Sequence, residues 1–287
     1  MNAITQNRSI GGADLIAPIL FIHGSLGSSA QWQETIDALN SDAPVMSIDL
    51  SGYGRNGPWL SERPISLAEE AMVVLRPLGR QVRRLHIVGH GFGAAVALKI
   101  AELWPERITS LVLIEPISVN ILLGEGPSAE AARADFAAVA SAVTEAWNDG
   151  RPGEGLELFT EFWNGSGAWA ILGEDARQQL IARVPRLLSD FEACRGDAAR
   201  AGDVAELEMP TTLVVGTDSP STGRAVAEVL ARAMPDANLK RIRGVGHMLP
   251  ATHPELLAAL LRHHFDNLEV CIPIAQSQPA AAVGVAA

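Results

Sequence analysis

No stretch of this 287-residue sequence is long and apolar enough to span a membrane, and Met1 to Ala17 is polar, without the apolar centre of a secretory signal. The chain is therefore expected to work in the cytoplasm. Positive charge is the scarcer sign: 22 Lys and Arg stand against 33 Asp and Glu, a formal net charge of -11. That excludes nucleic acid and an anionic membrane surface as expected partners, because both are held through a basic footprint. A small neutral or weakly charged molecule is the expected partner. Cysteine is nearly missing. Cys194 and Cys271 lie far apart with no CxxC or metal-ligand spacing, so they read as ordinary thiols, and neither a metal site nor another cofactor is expected. Internal repeats are also absent.

What is present is a globular composition, 48% hydrophobic and 19% charged, enough for one large core carrying an insertion. Short apolar runs recur at Ile19 to His23, Val45 to Asp49, Leu85 to Gly89, Leu111 to Glu115, Thr212 to Gly216 and Leu239 to Ile242. Helical stretches such as Ser66 to Arg80 and Ala94 to Trp104 lie between them. This alternation predicts an α/β fold with a mostly parallel central sheet flanked by helices. From about Ser118 to Asp203 the strand rhythm stops, and an Ala-rich helical region carries Trp147, Phe159, Phe162, Trp163 and Trp169. The expected organisation is thus a core of residues 1–117 and 204–268, a helical cap of residues 118–203, and a poorly ordered tail at 269–287.

Three glycine-rich turns follow strands. His23-Gly24-Ser25-Leu26-Gly27 follows the first, Gly89-His90-Gly91-Phe92-Gly93 the third, and Gly244-Val245-Gly246-His247 the last. The second of these is a small-residue strand-to-helix turn with the frame G-x-S-x-G, except that its central position is Gly91. Asp49, after the second strand, reads as a turn-fixing residue.

In the order and spacing of these turns, with the DLSGYG segment at Asp49 to Gly54, the chain resembles the α/β-hydrolase superfamily of esterase, lactonase and C–C hydrolase type. The matches run from about Ile19 to Phe265, and FWNGSGAW (Phe162 to Trp169) is similar to a cap segment of a bacterial subset. The resemblance implies an oxyanion hole from the backbone N–H groups of Ser25 and Phe92, and His247 as the catalytic base. It also implies a serine at residue 91, where this chain has Gly91, a change that glycine's backbone freedom makes structurally mild and chemically drastic. His247 is expected within hydrogen-bond or one-water reach of that turn. Leu26, His90, Trp163 and Trp169 are candidate substrate contacts.

The acid partner of His247 has two candidates. The family's usual carboxylate position after Thr212 to Gly216 holds Ser219, with Asp218 one place early; Glu115, before Pro116, stands where some members place their acid. Either could orient an imidazole. The expected function is an α/β-hydrolase-type enzyme acting on a small, largely apolar ester, lactone or carbonyl compound, with Gly91 in place of the nucleophile. The alternatives are an inactive, nucleophile-substituted esterase-like hydrolase, a non-catalytic ligand-binding protein on the same fold, and a cofactor-independent lyase or dioxygenase using a His–acid pair.

Overall fold

The computed structural model describes residues 17–61, 63–79 and 82–269. Six strands, β1 (Ile19–Ile22), β2 (Val45–Ile48), β3 (Leu85–His90), β4 (Ile108–Ile114), β5 (Thr211–Gly216) and β6 (Ala237–Ile242), form one sheet in the order β2-β1-β3-β4-β5-β6, every pair parallel. Among the described residues ten α-helices accompany them. They are α1 (Gln33–Leu39), α2 (Leu67–Leu75), α3 (Phe92–Leu103), α4 (Pro127–Asn148), α5 (Pro152–Asn164), α6 (Glu174–Ile181), α7 (Val184–Gly196), α8 (Ser221–Ala233), α9 (Leu249–Thr252) and α10 (Pro254–Glu269).

The apolar runs are continuous rather than alternating because both faces of the sheet are covered. Leu20, Ile22, Ile87 and Leu213 pack on one side with residues of α2, α3 and α8, while Ile19, Phe21, Val88 and Val214 pack on the other with residues of α1 and α10. The predicted strands are found with their ends shifted by a residue or so, except β4, which begins three residues early at Ile108, and β6, two early at Ala237. The second predicted helix starts at Phe92, directly on the glycine turn. The first is Leu67–Leu75, opened by a capping box in which Ser66 and Glu69 satisfy each other's backbone N–H groups, and followed by a short 3₁₀ turn. Its predicted end, Arg80, lies outside the described residues, as do the expected tail from residue 270 and Cys271.

Between β4 and β5 the chain runs through α4 to α7 without a strand. The sheet order reverses direction between β1 and β3, and loops leaving the carboxyl ends of two adjacent strands at such a point splay apart into a crevice. The turns at His23 to Gly27 and at Gly91 leave β1 and β3. The fold therefore sets two of the three glycine-rich turns side by side.

Candidate active site

The Gly91 turn is shaped by sterics. A Cβ at Gly89 would lie 2.6 Å from the carbonyl oxygen of Gly93, and one at Gly93 would lie 2.4 Å from the carbonyl oxygens of Ile22 and His23, so both flanking glycines are required. Gly91 is different: its backbone sits at φ 54°, ψ -116°, yet a Cβ there would meet nothing closer than 3.6 Å. The nearest atoms are Cε1 and Nε2 of His247. The imidazole thus points at the spot from which a side chain at residue 91 would project.

His247 sits on the loop between β6 and α9, nearly buried. Its Nδ1 faces Oε2 of Glu115 at 3.8 Å, and neither atom has a hydrogen-bond partner among the described residues. Glu115 follows β4, is fully buried, and takes the left-handed backbone angle φ 49°. Its other oxygen is held by two short bonds, from the Gly216 N–H at 2.7 Å and the Ser219 hydroxyl at 2.6 Å. Ser219 therefore occupies the usual acid position as a donor to the carboxylate that sits across from it. Asp218 is exposed and accepts from the Thr217 hydroxyl at 2.9 Å; the fold does not bring it to His247. Of the three non-glycine residues at positive φ among the described residues, Leu26 and Glu115 both belong to this cluster, where backbone strain tends to collect.

The remaining histidines near the site are held neutral. His90 donates from Nε2 to the His247 carbonyl at 3.0 Å, its Nδ1 lies 3.3 Å from the Gln31 amide, and burial, with His247 adding to it, keeps its pKa well below the usual range. His90 therefore both lines the cavity and anchors the His247 loop. His23 donates from Nδ1 to the Gly24 carbonyl and accepts the Leu50 N–H at Nε2; burial lowers its pKa to about 4. Asp49 accepts the N–H groups of Ser29 and Arg55, which more than offset its burial and keep it ionised, so it pins the turn after β2.

A cavity of about 190 Å³ opens above Gly91. Ser25, Leu26, Gly91, Phe92, His90 and His247 form its floor; Phe136, Phe159, Trp163 and Phe191, from α4, α5 and α7, form its wall. Phe92 is the first residue of α3, so its N–H has no intrahelical acceptor. Trp163 stacks on the His247 ring, centroids 4.2 Å apart. Trp169 departs from expectation: it is buried in the core with Arg177 over its ring, and it does not line the cavity. On α5, Phe159 and Trp163 are four residues apart and share one face, which is why they reach the cavity while Phe162 packs behind Trp163 and Trp147 of α4 lies partly in solvent.

One part of the site has no local sequence signal. The Ser25 hydroxyl donates to Asp190 on α7 at 2.6 Å, and the Tyr53 hydroxyl donates to the same oxygen at 2.7 Å. Arg186, fully buried, pairs with Asp190 and Glu70 at 2.6 and 2.9 Å and donates to the Ser51 carbonyl. Burial pushes Asp190 up to about 6 despite Arg186. This network ties α7 to the turn after β1. Among the described residues no group of three or more His, Cys, Asp or Glu side chains could hold a metal ion, and no helix is long and apolar enough to cross a membrane.

Comparison with known proteins places this architecture. Residues 19–260 match the model of the alpha/beta hydrolase family. Proteins named "Putative carbamate hydrolase RutD" from Azorhizobium caulinodans and from Pseudomonas savastanoi pv. phaseolicola are 25% and 28% identical, over 85% and 83% of this chain and 89% and 90% of their own. Among solved structures, the N-acyl homoserine lactone degrading enzyme Est816 aligns with a TM-score of 0.65 at 20% identity, covering 86% of this chain and 92% of its own. A thermophilic esterase from Thermogutta terrifontis aligns with a TM-score of 0.66 at 20% identity, covering 88% and 90%. At that identity the two structures share the fold.

Proposed function

The chain belongs to the alpha/beta hydrolase family, and from that premise we propose that it attacks the carbonyl carbon of a small, largely apolar ester or lactone without forming an acyl-enzyme. The observation that carries this reading is the pairing over Gly91: an imidazole 3.6 Å from the origin of the missing side chain, with a buried carboxylate behind it. In this reading His247 takes a proton from water as the water oxygen bonds to the carbonyl carbon. Glu115 orients the imidazole and stabilises its charged form. The N–H groups of Ser25 and Phe92 receive the negative charge that develops on the carbonyl oxygen. When the tetrahedral intermediate collapses, the bond to the leaving alcohol breaks and His247 returns the proton to it.

Residues 118–203 act as a cap over a core of residues 1–117 and 204–268, with Phe159, Trp163 and Phe191 as the apolar wall and Leu26 and His90 as floor contacts. The hydrolase, esterase and lactonase descriptions of the relatives and fold neighbours support acyl chemistry at this site. A second reading follows from the same pair: with no nucleophile in front of it, His247 is also positioned to abstract a proton from a carbon acid.

The experiment is hydrolysis of short-chain aryl esters and lactones by the parent chain, His247→Ala and Glu115→Gln, followed from the first turnover. Slow, linear release with no initial burst, falling roughly a hundredfold or more in both variants, is the expected result. A burst in the parent would mean a covalent intermediate and defeat the mechanism. Identical background rates in all three would leave a carbon-acid enzyme or a binding protein.

A further inference from the structure

We infer that the cavity selects an uncharged compound bearing a single aromatic ring next to its carbonyl group, and rejects one with a carboxylate on the far side of that ring. This rests on the reading above only in placing the carbonyl group at Gly91.

The wall opposite Gly91 is built from rings already set at angles to one another. Phe136 and Phe191 meet edge to face, centroids 5.8 Å apart at 86°; Phe159 and Phe191 lie 5.9 Å apart at 53°; Phe159 and Trp163 lie 6.3 Å apart at 63°. Tilted rings present both an electron-rich face and a positive edge to a ring placed among them, an arrangement that gains affinity beyond the area it buries. Leu26, Ile117, Leu180 and Met248 fill the rest of the apolar lining. An apolar cavity of about 150 Å³ is enough for benzene. The 190 Å³ here accommodates one ring together with its carbonyl group.

Charge adds a selection separate from size. Among the described residues no Asp, Glu, Lys or Arg side chain lines the cavity. The nearest arginines are engaged elsewhere: Arg183 donates to the Leu26 carbonyl at 2.7 Å, and Arg186 is shared between Glu70 and Asp190. His90 is kept uncharged by burial, and its Nε2–H is committed to the His247 carbonyl. Gln31 lies against His90, leaving Asn164, exposed at the end of α5, as the polar side chain nearest the wall. A carboxylate pressed against Phe136, Phe159 and Phe191 would lose its hydration without gaining a cation or a set of donors, which is among the most unfavourable exchanges a binding site can impose.

The test reads binding by calorimetry on the parent chain at pH 8, with ketones that cannot be hydrolysed: acetophenone, 4-nitroacetophenone, 4-acetylbenzoate and 2-octanone. The two neutral aryl ketones should bind. 4-Acetylbenzoate should bind at least roughly a hundredfold more weakly than 4-nitroacetophenone, its neutral isostere. 2-Octanone, with the same number of carbons as acetophenone, should be roughly tenfold weaker than acetophenone, and Phe159→Leu, a half-buried position that keeps its apolar character, should narrow that gap. Equal binding of the charged and neutral aryl ketones, equal or tighter binding of 2-octanone, or no binding of any ketone overturns the inference. Because no turnover is involved, failure here is separate from failure of the hydrolytic reading: selective binding with no esterase activity would uphold this inference and remove the other.

Discussion

Replacing Gly91 by serine should cost stability and add chemistry, and the structure allows each to be sized. A Cβ at residue 91 meets no atom closer than 3.6 Å, so no neighbour has to move. The expense is confined to the backbone: φ 54° with ψ -116° is a region that L side chains rarely adopt, and holding a residue there costs on the order of 1–3 kcal/mol. For a chain of this length each kcal/mol lowers Tm by roughly 2–4 °C, so Gly91→Ser and Gly91→Ala should melt a few degrees below the parent and close to each other. The two differ in the hydroxyl. From a Cβ 3.6 Å from Nε2 of His247, the serine Oγ can swing into hydrogen-bond range of the base, with Ser25 and Phe92 lining the cavity beside it. Removing a triad serine costs about a million-fold in kcat, while the other parts of a site retain roughly a thousandfold or more over water. Installing one should therefore raise hydrolysis of short aryl esters by several powers of ten. The assay compares the parent, Gly91→Ser, Gly91→Ala and Gly91→Ser with His247→Ala, by ester hydrolysis and by covalent labelling with a fluorophosphonate detected by mass. Equal rates in all four, together with no label on Gly91→Ser, would refute the argument that this is a triad site lacking only its nucleophile.

Acid should weaken the fold through its buried histidines. Burial holds His23, and His264 of α10 between the Thr212 and Ser110 hydroxyls, at about 4, whereas the unfolded chain takes up the proton near 6.5. Their contribution is complete above about 6.5 and is lost as pH falls toward 4, at about 1.4 kcal/mol per pH unit for each. Asp190 works in the opposite direction, because its raised pKa of about 6 makes the native state bind a proton before the unfolded one does. Urea denaturation at pH 7.5 and 5 should show a net loss of stability at the lower pH, and His264→Gln should flatten the dependence; an unchanged slope would refute the assignment. Asp190→Ala should destabilise by about 3–5 kcal/mol, because it leaves the buried Arg186 short of one of its two carboxylates. Asp190→Asn should cost less, and a loss under 1 kcal/mol in the alanine variant by the same denaturation measurement would contradict the burial of charge described here.

Much of the scaffold was legible because it is encoded locally. Strands buried on both faces are short and continuously apolar, and they stand out from helices such as α2, whose start is marked by Ser66 and Glu69 three residues apart. The glycine turns could be read for the same reason. Around Gly89-His90-Gly91-Phe92-Gly93 the close contacts at Gly89 fall on Gly93 and Ala94, so local spacing carries that requirement, whereas those at Gly93 fall on Ile22 and His23 and come from the packing of the turn on β1. Boundaries were less legible: β4 begins at Ile108, within three residues of Pro105, because Ser110 and Ile108 pair with His86 and Leu85 of β3, the register shifting at Thr109.

The sequence by itself determined that residue 91 has no side chain, that the turn around it is closed by glycines, and that His247 sits on a loop following the last strand. Only the tertiary structure decided which groups those residues meet. On paper Glu115 is favoured over Asp218, with both left open. In the fold Glu115 is turned inward at the end of β4, held by the Gly216 N–H and the Ser219 hydroxyl more than a hundred residues away, while Asp218 is turned out to Thr217. Trp163 and Trp169 belong to the same short motif, yet one stacks on His247 and the other packs into the core. The bond from Ser25 to Asp190 spans 165 positions. Such pairings leave no periodicity or spacing in the chain, because they depend on the order in which strands enter the sheet and on where α4 to α7 come to rest against it.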